Sequence, residues 1–243
     1  MLDDRQDAFG HGMIDYLNGK SGAEIVERDD GLIGPNGGPA IYFAAYKKWH
    51  PLEKKAIRYS RGKVLDVGCG AGRHTLYLQE RGHKVVAIDN SPLAVEVCRK
   101  RGVEDARVLS VFEISSALGI FDTILLLANF SLFGNPERAR RLLKRLYQIT
   151  STKGSILAIS ADPCAGDDPD HVAYHATNRA KGKMPGQLRI RVRYKRYATP
   201  WIQFLLVSKQ ELESILEGTG WKVEKYVDAG TPQYLAILSK RTS

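Results

Sequence analysis

One stretch of the chain, VLDVGCGAG at residues 64–72, decides the fold. Its apolar beginning predicts a short buried strand, and its three alternating glycines predict a tight turn before a helix. Glycine lets the backbone turn sharply and approach a ligand without interference from a side chain. Because open α/β sheets bind ligands at the carboxyl ends of their strands, the stretch also predicts a binding cleft.

An alternation of strand and helix continues beyond this stretch. Buried strands are predicted at Val64–Val67, Lys84–Ile88, Arg107–Val111, Thr123–Leu127 and Ser155–Ile159, with helices over 73–81, 92–101 and 136–150. This order is typical of a parallel sheet that is covered by helices on both faces. Two further strands, Trp221–Val227 and Tyr234–Leu238, are joined by a turn too short for a crossover helix, so an antiparallel last strand is predicted.

The regions that flank this pattern are expected to form a lid over the cleft. Residues 1–62 are predicted to be an N-terminal helical cap, and residues 63–243 the main domain. The elements predicted within the cap are a helix over 3–19, a glycine-rich loop over 29–39 and a helix over 40–49. A polar insertion over about 163–207 follows the fifth strand and contains a predicted helix over 170–181.

Composition and charge narrow the possible function classes. The 243 residues are enough for one sizeable core, and their formal net charge is +9. Residues 1–40 hold eight acidic and three basic groups, so the rest of the chain is strongly basic. That balance is compatible with an anionic partner but does not by itself establish nucleic-acid binding. Three irregularly spaced cysteines and the lack of a long apolar run predict a cytoplasmic protein without a metal site or membrane span.

Two carboxylates accompany the glycines and predict the kind of ligand. Gly68, Gly70 and Gly72 do not have the spacing of the dinucleotide-binding fingerprint, and Asp66 just before them would repel a pyrophosphate. A carboxylate there suits a ligand that carries a positive amine or sulfonium. Asp89, at the end of the second predicted strand, can accept hydrogen bonds from both hydroxyls of a ribose.

Residues 63–160, above all VLDVGCGAGRHTLYLQERGHKVVAIDNSPLAVEVC, resemble a class I S-adenosylmethionine-dependent methyltransferase with a type 11/25-like domain. The resemblance implies a Rossmann-like α/β fold with a seven-stranded, mostly parallel sheet. It implies S-adenosyl-L-methionine as cofactor, S-adenosyl-L-homocysteine as product, and cofactor contacts from Asp66, Gly68, Cys69, Gly70, Gly72, Asp89, Asn90, Ser110, Val111, Phe112 and Asn129. Ser110 stands where the family often has an aspartate that holds the adenine, and Glu113 or a backbone group is a possible substitute.

Residues that could serve the methyl acceptor lie outside this motif. The candidate catalytic residues are Asn129, His171, Tyr174 and His175, and the candidate substrate contacts are Tyr42, Phe43, Phe130, Arg191 and Arg193. His171, Tyr174 and His175 share one face of a predicted helix, where a histidine could deprotonate an acceptor hydroxyl or amine. His74, after the glycines, is a further candidate base.

The expected function is transfer of a methyl group to nitrogen or oxygen of a small molecule. One alternative is an RNA methyltransferase that uses the basic tract over 179–196, which holds eight basic residues and no acidic one. A second alternative is a protein that binds S-adenosylmethionine without catalysis. The oligomeric state stays open, and no membrane partner is expected.

Overall fold

The computed structural model describes residues 2–127 and 130–241. Its strands are β1 Glu24–Arg28, β2 Ile33–Pro35, β3 Val64–Val67, β4 Val85–Asp89, β5 Ala106–Val108, β6 Phe121–Leu126, β7 Thr150–Ala161, β8 Gln187–Tyr194, β9 Tyr197–Ala198, β10 Ile202–Leu205, β11 Trp221–Asp228 and β12 Gln233–Lys240. Its α-helices are α1 Ala8–Leu17, α2 Pro51–Ile57, α3 Arg73–Gln79, α4 Pro92–Lys100, α5 Pro136–Gln148, α6 Pro169–Ala180 and α7 Lys209–Leu216.

A seven-stranded sheet in the order β11-β12-β7-β6-β3-β4-β5 forms the centre of the protein. β3 pairs in parallel with β4 on one side and with β6 on the other. β12 runs antiparallel to both β7 and β11, and the remaining pairs are parallel. The predicted fold class, a Rossmann-like α/β sheet with one antiparallel strand, is therefore confirmed.

Alternate residues along each central strand face opposite layers of helices. Leu65 and Val67 pack in one core with apolar side chains of α5 and α7, whereas Val64 packs in a second core with α2 and α3. Leu125 belongs to the second core and its neighbours Ile124 and Leu126 to the first. This period of two on a sheet that is buried on both faces explains why the strands are nearly continuous apolar runs.

A second, smaller sheet joins the N-terminal region to the insertion. Its strands follow the order β10-β8-β1-β2, and β9 pairs with β8. β1 and β8 are antiparallel, with Glu27 opposite Arg191 and Glu24 opposite Tyr194. The region that precedes β3 therefore contains strands as well as helices, and the predicted loop over 29–39 is wrong at β2. The boundary between residues 62 and 63 stays a prediction.

The predicted helix over 40–49 is also wrong, because two 3-10 turns, Pro39–Phe43 and Tyr46–Lys48, replace it. Ala44 and Ala45 between them have extended ψ angles of 129° and 156°. The indole nitrogen of the buried Trp49 donates a hydrogen bond of 2.6 Å to the Ala44 carbonyl at this break. Burial of the indole and its bond to the chain outweigh the modest helix propensity of the segment.

The third predicted strand, Arg107–Val111, ends earlier than its apolar run suggests. β5 ends at Val108, and Val111–Glu113 form a 3-10 turn. Ser110 and Glu113 cap this turn reciprocally, so its backbone bonds are made locally instead of along a strand.

Among the described residues, no helix combines the length and apolar composition needed to cross a bilayer. Within the same residues, no group of three or more His, Cys, Asp or Glu side chains is arranged to hold a metal ion.

Replacement of Trp221 by alanine tests the first core. Its side chain is fully buried, and its Nε1 donates a hydrogen bond of 2.9 Å to the Leu143 carbonyl. We expect Trp221→Ala to lower the free energy of unfolding by about 3–5 kcal/mol, measured by urea denaturation. Trp201→Ala is the control, because Trp201 is half-buried beneath two arginines and should cost about 1 kcal/mol. Equal losses in both variants would contradict this assignment of the core.

Candidate functional site

The loop over residues 68–72, here called the glycine loop, joins β3 to α3 in left-handed backbone conformations. Gly70 has φ of 55° and Gly72 has φ of 76°. A Cβ atom on Gly72 would lie 2.7 Å from Cγ2 of Val103 and 3.0 Å from Sγ of Cys98. Gly72 is thus required both by its backbone angle and by the close packing of the loop on α4 and the residues after it.

Asp89, at the end of β4, is bonded to the glycine loop. Its Oδ2 accepts a hydrogen bond of 2.9 Å from the Gly70 amide, and its Oδ1 accepts one of 3.0 Å from the Ser91 amide. Burial is the main cause that raises the pKa of Asp89 to about 6; the carboxylates of Asp7 and Asp66 contribute to the rise, and the bonds from the Ser91 and Gly70 amides oppose it. The Leu109 amide donates to the Asp89 carbonyl, which brings the end of β5 to the same place.

Asp66 lies beneath the glycine loop and is 3% exposed. Its Oδ2 accepts a hydrogen bond of 2.7 Å from the Thr75 hydroxyl in α3. Burial raises the pKa of Asp66, while His74 and the Thr75 hydroxyl oppose that rise. Asp66 and Asp89 therefore place two carboxylates at the carboxyl ends of adjacent strands.

The N-terminal region covers the glycine loop from above. A Cβ atom on Gly70 would lie 3.7 Å from both Met13 Cε and Tyr42 Cδ1, so these two side chains face the loop. Met13 belongs to α1, which packs on α4. Asp7, immediately before α1, accepts hydrogen bonds from the Ser91 hydroxyl and the Leu93 amide at the start of α4.

Glu24 holds Tyr42 in this position. Its Oε2 accepts hydrogen bonds of 3.0 Å from the Tyr42 hydroxyl and 2.9 Å from the Asn36 amide. Glu24 is 2% exposed, its Oε1 has no hydrogen-bond partner, and burial raises its pKa. Asp7 and Glu24 are not singled out by the sequence.

The segment that follows β5 is arranged differently from the family pattern. Ser110 and Glu113 cap each other's turn, so the Glu113 carboxylate is bonded to the Ser110 amide. Val111 and Phe112 are half-buried, and Arg138 lies over the Phe112 ring at 4.2 Å. Asn90 is exposed next to Asp89, and its carbonyl accepts a bond from the Leu2 amide.

The residues of α6 that were predicted to be catalytic contact the N-terminal hairpin. His171 Nδ1 lies 3.0 Å from Nη1 of Arg28, and the Tyr174 hydroxyl donates a bond of 2.7 Å to Asp29. Burial and Asp29 raise the pKa of Tyr174 to about 12. His175 is buried, which lowers its pKa. These contacts fasten α6 to β1, and a catalytic role for the three side chains stays a prediction.

The two arginines that were predicted to clamp a substrate are paired with one carboxylate. Arg191 bonds both oxygens of Glu27 at 2.8 Å, and Arg193 Nε donates to Oε2 at 2.7 Å. Arg191 and Arg193 lower the pKa of Glu27 to about 2. The guanidinium of Arg191 also lies over the Trp201 ring at 4.7 Å.

Of three other predicted site residues, one lies in the core, one packs on the lid helix and one lies outside the described residues. Phe130 is fully buried and packs on Phe133 at 4.9 Å between ring centroids. Phe43 packs on Tyr16 of α1 at 4.7 Å. Asn129, predicted as both a catalytic and a cofactor residue, lies outside the described residues.

A cavity of about 720 Å³ opens beyond the carboxyl end of β7. Its wall includes Asp162 after β7, Lys209 at the start of α7, and Asp228 at the end of β11. Cys164 and Arg179 also line it, with Nη2 of the arginine 2.9 Å from the sulfur. The cavity therefore presents charges of both signs and an exposed thiol.

The central region is similar in sequence to known proteins. A family model described as a methyltransferase domain matches residues 64–154. Curated proteins named carboxy-S-adenosyl-L-methionine synthase are 33% identical over 42% of this chain in Photorhabdus laumondii and 30% identical over 39% in Yersinia pestis. The matches span 43% and 39% of those relatives' own lengths, so the similarity covers less than half of each protein.

Solved structures extend the similarity to the whole chain. A protein from Pyrococcus horikoshii, 18% identical, has a TM-score of 0.59 over 78% of this chain and 88% of its own, which shows the fold alone. A methyltransferase from Bacteroides fragilis, crystallised with S-adenosyl-L-homocysteine, is 30% identical and has a TM-score of 0.85 over 100% of this chain and 98% of its own. The fold and the glycine loop together are those of a class I methyltransferase. The chain belongs to the family of S-adenosylmethionine-dependent methyltransferases.

Replacement of Gly72 by alanine tests the close packing of the glycine loop. Gly82 is a matched control, because its φ of 81° is similar but a Cβ atom there would meet nothing within 4 Å. We expect Gly82→Ala to cost about 1–2 kcal/mol in free energy of unfolding, from the left-handed backbone alone. Gly72→Ala should cost about 2–5 kcal/mol, because Val103 and Cys98 must also move. Equal costs by urea denaturation would show that packing contributes nothing.

Proposed function

We propose that this protein transfers a methyl group from S-adenosylmethionine to nitrogen or oxygen of a small molecule. The observation that carries the proposal is the hydrogen bond of 2.9 Å from the Gly70 amide to the Asp89 carboxylate. This bond brings a glycine-rich loop and a carboxylate of the kind that binds ribose into one cleft at the ends of β3 and β4.

The chemistry of the cleft fits this cofactor. Asp66 and Asp89 contribute carboxylates, and Glu24 contributes a third behind Tyr42, with one oxygen that has no hydrogen-bond partner. Carboxylates favour a ligand that carries positive charge, as the ammonium and sulfonium groups of S-adenosylmethionine do. A pyrophosphate would be repelled by the same groups, which weighs against a nicotinamide cofactor.

The residues of this chain would bind, orient and shield the reacting groups. Asp89 would accept the ribose hydroxyls, and the glycine loop would lie along the methionine portion. Met13 and Tyr42 would cover the loop and exclude water. When bound, the cofactor supplies an electrophilic methyl group, so the protein contributes mainly by positioning the acceptor in line with it.

Two observations support a small acceptor. The cavity of about 720 Å³ beyond β7 has the size of a small-molecule site and lies one strand away from the end of β6. Arg191 and Arg193, two of the eight basic residues in the tract that an RNA acceptor would use, are paired with Glu27. An RNA acceptor and a role without catalysis are the alternatives that the experiment below separates.

The proposed function predicts that Asp89→Ala binds the cofactor product much more weakly than the wild type does. Loss of two hydrogen bonds to an ionised carboxylate should weaken binding of S-adenosyl-L-homocysteine about 100-fold, measured by isothermal titration calorimetry. Asp105→Ala is the matched control, because Asp105 pairs with Arg107 at the surface and its loss should change the dissociation constant less than twofold. Equal binding by the wild type and Asp89→Ala would contradict the assignment of the ribose site.

Methyl-labelled cofactor then identifies the acceptor class. The wild type and the two variants are incubated with the labelled cofactor and an extract of the native cell, and small molecules, RNA and protein are separated. Label in the small-molecule fraction that Asp89→Ala lacks and Asp105→Ala retains is the expected result. Label that ribonuclease removes would favour RNA, and cofactor binding without label in any fraction would favour the role without catalysis.

A further inference from the structure

Asp7 connects the lid helix α1 to the start of α4. Its side chain is 1% exposed. Oδ1 accepts a hydrogen bond of 3.0 Å from the Gly10 amide and so caps α1. Oδ2 accepts bonds of 2.8 Å from the Ser91 hydroxyl and 3.2 Å from the Leu93 amide. One carboxylate thus holds the first turns of two helices, and each oxygen serves one of them.

The contacts continue from Ser91 to the glycine loop. The Ser91 amide donates a bond of 3.0 Å to Oδ1 of Asp89, and the Gly70 amide donates one of 2.9 Å to Oδ2. The Ser91 hydroxyl also accepts a bond of 2.9 Å from the Ala94 amide, which caps α4. Ser91 is therefore fixed from three directions, and one of them is the N-terminal segment.

We propose that Asp7 is a positioning residue for the cofactor: it holds Ser91, and through Ser91 it keeps the Asp89 carboxylate in the orientation that accepts the ribose hydroxyls. The inference rests on the proposed function and adds a residue from the N-terminal segment to the ribose site. The ribose site is then complete only when α1 is docked on α4, which joins cofactor affinity to the position of the lid helix.

The charge of Asp7 gives this role a measurable signature. The titratable groups that face Asp89 are the carboxylates of Asp7 and Asp66, the Cys69 thiol and the Tyr42 hydroxyl. Burial and the two carboxylates together raise the pKa of Asp89 to about 6. Ribose hydroxyls bind the ionised form best, so affinity is full above that pKa and falls as the pH drops through it. Removal of the negative charge at residue 7 lowers the pKa of Asp89 and moves this fall to lower pH.

The test is calorimetric titration of S-adenosyl-L-homocysteine into wild type and Asp7→Asn from pH 5 to pH 8. We expect the affinity of the wild type to fall below about pH 6. Asp7→Asn should bind about tenfold more weakly at pH 8, because the bonds to Ser91 and Leu93 are weakened. Its fall in affinity should lie at a lower pH than that of the wild type. The affinity at pH 8 reports the position of the Asp89 carboxylate, and the shift of the transition reports the charge of Asp7 acting on that carboxylate.

Two further variants separate positioning from general damage. Asp3→Asn is the matched control, because Asp3 is exposed and accepts a single bond of 3.0 Å from the Gln6 amide in the same segment. It should bind like the wild type. Ser91→Ala removes the link but leaves the charge of Asp7, so it should weaken binding without moving the pH of the transition.

Each outcome decides the inference. Wild-type affinity of Asp7→Asn at pH 8 would overturn it, even with a shifted transition, and would leave the proposed function intact. If Asp7→Asn does not fold, Ser91→Ala decides alone, and normal affinity in that variant overturns the inference. Absence of binding by the wild type would overturn the proposed function, and the inference would fall with it.

Discussion

The hydrogen bond from the Gly70 amide to the Asp89 carboxylate is the interaction around which the candidate site is built. It requires Gly70 to adopt a left-handed conformation and requires β3 and β4 to end side by side. Both conditions follow from a parallel sheet whose strands are buried on both faces. Burial raises the pKa of Asp89, so the ionised form of this carboxylate is disfavoured in the folded protein. The protein thus maintains, at some expense in stability, the carboxylate to which the proposed function assigns the ribose hydroxyls.

The uneven charge along the chain has a structural explanation. The acidic N-terminal segment lies against the basic strand β8, where Glu27 pairs with Arg191 and Arg193, and Asp15 pairs with Lys195. Antiparallel pairing of β1 and β8 brings Glu27 next to the two arginines, whereas Asp15 contacts Lys195 from α1. The basic tract that suggested a nucleic-acid surface is therefore partly neutralised within the molecule. Oppositely charged residues that are far apart in the sequence pair here and hold the N-terminal region against the insertion.

The sequence predicts an element correctly where the residues that form it are contiguous in the chain. β3 has the bounds that its apolar run predicts, and the capping box of Ser208 and Glu211 marks the start of α7. The fold class and the family follow from such local signals. Prediction from the sequence fails where a strand needs a distant partner, because β1 and β2 are short, and β1 pairs with β8 far along the chain. For the same reason Asp7 is unmarked, since its partner Ser91 is 84 residues away.

The pairing of β1 with β8 also sets an order of events during synthesis. Glu27 and Arg191 are 164 residues apart, so the N-terminal strand emerges from the ribosome long before its partner. At bacterial and eukaryotic elongation rates this interval is roughly 8–30 s. The central strands β3 to β7 have been synthesised by then, whereas β1, in its hairpin with β2, still lacks its partner strand β8. Pairing of β1 with β8 should therefore be one of the last steps of folding, whereas α1 can dock on α4 as soon as α4 has emerged.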